Sequence, residues 1–291
     1  AILIRQPAKI CNIRVLLLAD DGGNTREAVY LKCDTASAMK CGDWEEQVEA
    51  EKVIPASEFL SADPSRTFVL TSEEGGQITL CDADGTAISN GYAGSIEVRA
   101  RDGGYTVVND LPFETYLCAV VPSEMPSTYA PEALKAQAVC ARSYAYIQLL
   151  RADLAEYGAH INDSTSYQVY NKVPATDASR TAVQETAGQV LTYDGSTVEA
   201  YYFSTSMGYT DTAVVWNVED ERNYGYLKKA SLLLSGEDTD LSKEDAFRQY
   251  IEAKPDGYDS DIKYYRWFAS ADFDGKTEEL NGILMNRLAV S

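Results

Sequence analysis

A single histidine, His160, stands in 291 residues, and that scarcity removes most nucleophile and metal chemistry at once. A Ser-His-Asp or Cys-His system would have to recruit His160. It lies in the polar connection Tyr157-Gly-Ala-His-Ile-Asn-Asp163, and no G-x-S-x-G turn accompanies it. The six cysteines (Cys11, Cys33, Cys41, Cys81, Cys118 and Cys140) form no C-x-x-C pair, so an ordinary zinc site is hard to assemble. Cys118 and Cys140 fall on apolar helix faces and read as inert core thiols. No glycine-rich phosphate loop precedes a helix, and Asp82-Ala-Asp84-Gly85 lacks the remaining ligands of a calcium loop. No stretch approaches the ~18 consecutive apolar residues of a membrane-spanning helix.

Basic residues are also scarce: 25 against 45 acidic ones, a formal net charge of −20. So acidic a surface repels a phosphate backbone and disfavours anionic membranes. Nucleic acid is therefore excluded as a partner, and Lys228-Lys229 is the densest basic cluster. A neutral or modestly charged polymer is easier to accommodate. What the chain does have is tyrosine, 20 against seven Phe and three Trp. A ring carrying a hydroxyl suits the mixed faces of sugar rings, and equally suits half-exposed strand positions.

Two patterns divide the chain. Candidate strands at Ile13–Leu18, Ala28–Cys33, Arg66–Thr71, Gln77–Cys81, Ser95–Ala100 and Tyr105–Asn109 are separated by Gly-Gly, Asp-Gly and Asn-Gly turns. From Asp110 helical spacing takes over. Phe113, Tyr116, Leu117 and Val120 share one face of a helix that Pro122 is expected to end. A second helix starts at Pro131 and runs to about Leu154, with a stripe of Leu134, Ala138, Ala141, Ala145 and Leu149. Lys135 and Arg142, seven residues apart, share a face beside that stripe. A helix over Ser179–Thr186, capped by Asp177, leads into a hairpin of Gln189–Tyr193 and Thr197–Phe203 about Asp194-Gly195. Ser242–Ile251 reads as a helix and Tyr264–Ala269 as a strand.

Chemistry concentrates at Glu124, which lies between Pro122 and Pro126 with Val121 and Met125 beside it. Apolar surroundings favour a neutral carboxyl group, as a general acid requires. The competing reading is a carboxylate accepting hydrogen bonds at the start of the Pro131 helix, with the opposite effect on its proton. Tyr201-Tyr-Phe-Ser-Thr-Ser-Met-Gly-Tyr209 sets hydroxyls beside aromatic rings, which suits a polyol or simply a strand end with turn-forming residues.

Val120-Val-Pro-Ser-Glu-Met-Pro126, followed by Pro131-Glu-Ala-Leu-Lys-Ala-Gln-Ala-Val-Cys-Ala-Arg-Ser-Tyr-Ala145, resembles the SpoIID/LytB family. Ile96–Leu117, Gln168-Val-Tyr170, and Tyr201–Thr210 with Trp216 match in the same order, so the resemblance covers most of residues 12 to about 230. It implies a peptidoglycan lytic transglycosylase with Glu124 as its catalytic acid/base and no metal or organic cofactor. By the same resemblance Ser123, Lys135, Arg142, Tyr170, Tyr201, Ser204, Thr205, Ser206 and Tyr209 line the substrate groove, with Lys135, Arg142 and Tyr201 gathered around Glu124. The implied partners are peptidoglycan glycan strands and, as for relatives described as amidase enhancers, a cell-wall amidase. Some members of the family hold zinc through a Cys where this chain has Tyr167. No cysteine follows residue 140. Phe203 and Met207 replace the His and Gly usual around Ser-Thr-Ser. The expected location is extracytoplasmic, with the signal or anchor outside this sequence. The expected fold is α+β: an antiparallel β-rich part over 1–100, a core over 101–230 with a central helical pair and a groove-forming hairpin, and an extension over 231–291.

Overall fold

Side chains that alternate between core and solvent build most of this protein, a computed structural model that describes residues 2–5, 12–73, 75–218, 220–235, 239–266, 276 and 281. The strands are β1 (Ile2–Arg5), β2 (Asn12–Leu16), β3 (Tyr30–Cys33), β4 (Ser37–Cys41), β5 (Trp44–Val48) and β6 (Thr67–Ser72). They continue as β7 (Ile78–Cys81), β8 (Ser95–Arg101), β9 (Gly104–Pro112), β10 (Ile161–Asn162), β11 (Gln189–Tyr193) and β12 (Ser196–Thr197). The helices are α1 (Ala56–Ser61), α2 (Phe113–Glu124), α3 (Pro131–Arg151), α4 (Asp177–Glu185), α5 (Glu221–Tyr224) and α6 (Glu244–Ala253). The fold is mixed α+β.

A seven-stranded sheet runs in the order β10-β2-β9-β8-β6-β4-β5, antiparallel except where β10 lies parallel to β2. In β6, Phe68 and Leu70 point into the core, and in β8 Ile96 and Val98 do the same, as a period of two requires. The sheet includes strands from both sides of residue 100. Strands β4 and β5 carry no strand signal in the sequence. In β4 the inward positions are Ser37, Met39 and Cys41, none of them β-branched. Strand β5, Trp-Glu-Glu-Gln-Val, is an edge whose first four residues are exposed, and charge there discourages pairing with another chain. Strand β11 pairs with β1 on one side and β12 on the other. Asp194 and Gly195 turn between β11 and β12 with φ of 49° and 79°. Of the expected second arm, Thr197–Phe203, only Thr197 is strand, in β12.

Helix α3 buries the expected stripe: Leu134, Ala138, Ala141 and Ala145 are in the core, with Leu149 partly buried against it. Helix α2 does not stop at Pro122 but carries it inside and continues to Glu124. Proline lacks the N–H that would bond the carbonyl four residues back, and that orphan is the Cys118 carbonyl. Ser179 Oγ lies 2.9 Å from it and supplies a donor. The same Ser179 forms a capping box with Thr176, which replaces Asp177 as the cap of α4. Ser179→Ala is expected to cost about 2 kcal/mol, since it removes a cap and strands a buried carbonyl. Urea unfolding measures it, and a cost near zero would mean that α2 tolerates Pro122 without help.

The chain forms two compact units, Ala1–Tyr202 and Phe203–Ser291. In the second, Tyr209 packs against Tyr250, whose hydroxyl bonds the Met207 carbonyl at 2.5 Å. The guanidinium of Arg266 lies over the rings of Tyr250 and Tyr265. Residues 264–266, expected as the start of a strand, form a turn, and 267–269 lie outside the described residues. Among the described residues no helix is long and apolar enough to cross a membrane.

Candidate active site

Glu124 is the last residue of α2, half-buried in the first unit. Its Oε1 accepts the Val169 backbone N–H at 2.6 Å, and the Tyr202 hydroxyl favours its charged form. Burial raises its pKa above the usual carboxylate value, while the Val169 and Tyr202 donors pull against that rise. No cation is among the causes. Position at the C-terminal end of a helix, where free carbonyls gather, also disfavours negative charge. The α3 N-terminus is not its partner: Ala130 caps that helix without any side-chain bond. Of the two sequence readings of Glu124, the geometry matches the apolar, proton-retaining one.

Around the acid stand tyrosines. Tyr202, Tyr144 and Tyr116 each have a raised pKa, chiefly through burial, with the Glu124 charge as a further cause; for Tyr144 the rise is to about 12. Tyr201 meets Tyr144 edge-on at 6.2 Å between ring centres and is itself exposed. The charge of Glu124 acts on Tyr202, the neighbour of the expected Tyr201. No strand periodicity holds over 198–202 to say which of the two faces inward.

Arg142 and Tyr170, both expected in the groove, are buried. Arg142 is 0% exposed. Its Nε and Nη2 grip both oxygens of Glu114 at 2.9 and 2.8 Å, and its remaining donors reach the Val183 and Gln189 carbonyls. It clamps α2, α3, α4 and β11 together. Tyr170 is 2% exposed, donates to Asn109 Oδ1 at 2.7 Å and packs on Tyr116. Lys135 bonds Glu132 at 2.8 Å and Glu185 of α4 at 2.6 Å, the surface role that its helical neighbours allow. The two carboxylates raise its pKa. Neither cation contributes to the Glu124 shift. Ser123 Oγ is committed to the Ala119 carbonyl at 2.7 Å and to the Val173 N–H at 3.2 Å, which ties the end of α2 to the loop behind it.

Four of the expected substrate residues belong to the second unit. Ser204 is exposed, and Thr205 Oγ1 lies 3.4 Å from its hydroxyl. Ser206 is buried, with its N–H and hydroxyl both bonded to Asp259 Oδ2 at 2.7 and 2.8 Å. Tyr209 is buried beneath Lys229, which lies 5.0 Å from its ring centre.

Among the described residues no three His, Cys, Asp or Glu side chains converge. His160 Nδ1 already accepts the Arg14 backbone N–H at 3.0 Å, and burial lowers its pKa, so it is held neutral. The five described cysteines are free, and burial raises the thiol pKa of Cys118 and Cys140.

Residues 101–193 match the family model described as Stage II sporulation protein. The chain is 37% identical over 120 residues to Stage II sporulation protein D of Bacillus subtilis, covering 36% of this chain and 35% of that protein. It is 39% identical over 121 residues to the protein of the same name from Bacillus amyloliquefaciens, covering 36% and 35%. The amidase enhancer of Bacillus subtilis is 38% identical over 102 residues, 35% of this chain and 13% of that protein. The match spans about a third of the length of the two sporulation proteins. Residues 101–193, which hold Glu124, α2 and α3, are thus similar to the SpoIID family.

Proposed function

We propose that this protein is a peptidoglycan lytic transglycosylase acting in cell-wall remodelling outside the cytoplasm, with Glu124 as its single acid/base. The observation that carries this reading is the state of Glu124: a half-buried carboxyl group, raised in pKa by burial, whose Oε1 accepts the Val169 N–H. The neutral acid protonates the bridging oxygen as the C1–O bond breaks. The resulting carboxylate then accepts the proton of the muramic acid C6 hydroxyl as that oxygen closes on C1, leaving a 1,6-anhydro end. An intramolecular nucleophile dispenses with the second carboxylate that glycoside hydrolases use. Exposed Tyr201 is the side chain of the first unit that we assign to sugar contact. Mass spectrometry of peptide-stripped glycan strands tests the reading: 1,6-anhydromuramic ends are expected, and reducing ends would indicate a hydrolase instead.

A second reading draws on the resemblance to a protein named amidase enhancer: a non-enzymatic glycan-binding partner of a wall amidase. It predicts binding without any new glycan ends, and faster stem-peptide release when an amidase is added.

Catalysis is expected to survive exhaustive chelation, because Tyr167 stands at the cysteine position of the zinc-bearing relatives and His160 is already engaged. Cleavage that stops with chelator and returns with zinc would contradict this.

A further inference from the structure

A cavity of about 350 Å³ in the first unit is lined by charges of both signs: Arg26 and Lys172, Asp20 and Asp163. Leu18 stands between two of them. Its N–H donates to Asp163 Oδ1 at 3.1 Å, and its carbonyl accepts from Arg26 Nη2. One residue's backbone thus holds a carboxylate and a guanidinium side by side. Lys172 enters from a loop that Asn90 fixes, donating through Nδ2 to the Asn171 and Lys172 carbonyls at 2.8 and 3.2 Å. Neither Glu124 nor Val169 lines this cavity.

These charges lack partners. Arg14, Lys32, Arg99, Lys135 and Arg142 of the same unit, none of them exposed, each hold a carboxylate. Arg26 is half-buried, yet it forms no ion pair among the described residues, and its enclosed Nε meets no acceptor. Asp163 is 7% exposed and also forms no ion pair among them. Burial raises its pKa, against the pull of Lys172 and Arg26. Enclosing a charge without a partner is costly, and a ligand of opposite charge offsets that cost. We propose that this cavity binds the zwitterionic head of an α-amino acid, its ammonium group on Asp163 and its carboxylate on Arg26 and Lys172. An α-amino acid carries both charges on one carbon, which matches two groups anchored to one residue. The volume lies at the small end of ligand cavities. A free amino acid offers such a head, and so does the side-chain end of diaminopimelate in a stem peptide. The stem-peptide source rests on the cell-wall reading above; the site itself does not.

Calorimetry of the whole chain, with the Leu18 and Lys172 amide resonances as local reporters, tests this with D-alanine, N-acetyl-D-alanine and D-alaninamide. D-alanine is expected to saturate the site. Blocking either charge should weaken binding roughly tenfold or more, as for a lost hydrogen bond to a charged group. Lys172→Met, at an exposed position, should weaken D-alanine more than it weakens D-alaninamide. Asp163→Asn should erase the preference for D-alanine over its N-acetyl form, and Lys172→Met decides the matter if that variant does not fold. A tripeptide ending in meso-diaminopimelate, set against the same peptide ending in lysine, separates the sources. Tighter binding of the diaminopimelate peptide than of D-alanine supports a stem peptide as ligand, and the reverse supports a free amino acid. N-acetyl-D-alanine binding as tightly as D-alanine overturns the proposal. So does the lack of any saturable shift with both D-alanine and the diaminopimelate peptide. Glu124→Gln should bind D-alanine as the wild type does. A protein that binds D-alanine but makes no 1,6-anhydro ends keeps this site and loses the lytic reading alone.

Discussion

Glu124→Gln is expected to lower the release of 1,6-anhydro ends by at least ~10²-fold, the usual contribution of a positioned general acid, while the protein folds normally. Glutamine matches the shape, can accept the Val169 N–H at the same oxygen, and has no proton to transfer. The substitution also carries a stability signature of definite sign. Burial raises the folded-state pKa of Glu124, so the folded state binds this proton more tightly than the unfolded chain does. Stability contributed by the protonated group is complete below the unfolded pKa and is lost as pH rises through the folded pKa. Above that window the wild type holds a half-buried charge that the glutamine variant lacks. Glu124→Gln should therefore unfold at equal or higher denaturant than wild type at neutral pH, and lose that advantage in acid. A variant cleaving at the wild-type rate would remove Glu124 from the chemistry. A variant less stable than wild type at neutral pH would instead mark the carboxylate as a structural bond acceptor.

Arg142→Met is expected to cost about 2–4 kcal/mol, chiefly by leaving buried carbonyls without donors, since Glu114 is partly exposed, and to lower the melting temperature by about 10 °C. The side chain is wholly enclosed and spends its donors on Glu114, Val183 and Gln189. Methionine fills part of the volume but strands carbonyls of α4 and β11. Arg142→Lys should also be destabilising, since a single ammonium cannot grip both oxygens of Glu114 while reaching two further elements. Activity per folded molecule should stay near wild type. Full stability with weakened glycan binding would place Arg142 back in contact with substrate.

The helical half of the fold was the more legible from sequence, because its signals are local and strong. Pro131 opens α3 and the Leu134-Ala138-Ala141-Ala145 stripe is buried along it. Strands with apolar alternation, such as β6 and β8, were legible too, whereas β4 was hidden because Ser, Met and Cys fill its inward positions. The end of α2 was misplaced for a tertiary reason. Pro122 is tolerated inside the helix because Ser179, 57 residues further on, satisfies the Cys118 carbonyl. Glu124 stood out through its two prolines and apolar neighbours. Its partners did not, since a backbone N–H at Val169 leaves no mark in sequence, and Tyr202 is indistinguishable there from Tyr201. The cations failed as site residues for a common reason. Seven-residue spacing puts Lys135 and Arg142 on one face of α3 but does not say what covers it, and Glu114 of α2 with Glu185 of α4 already do.

The bond from Val169 to Glu124 gives the molecule an internal indicator of its own charge state. At 2.6 Å the amide proton is deshielded more strongly by a carboxylate than by a neutral acid, so the Val169 amide resonance should travel downfield as Glu124 ionises. Because the amide belongs to the backbone, every side-chain variant considered above keeps it. Its position in a nitrogen–proton correlation spectrum can therefore follow the ionisation of Glu124 in the wild type. In Glu124→Gln the same peak should stand still across the whole pH range.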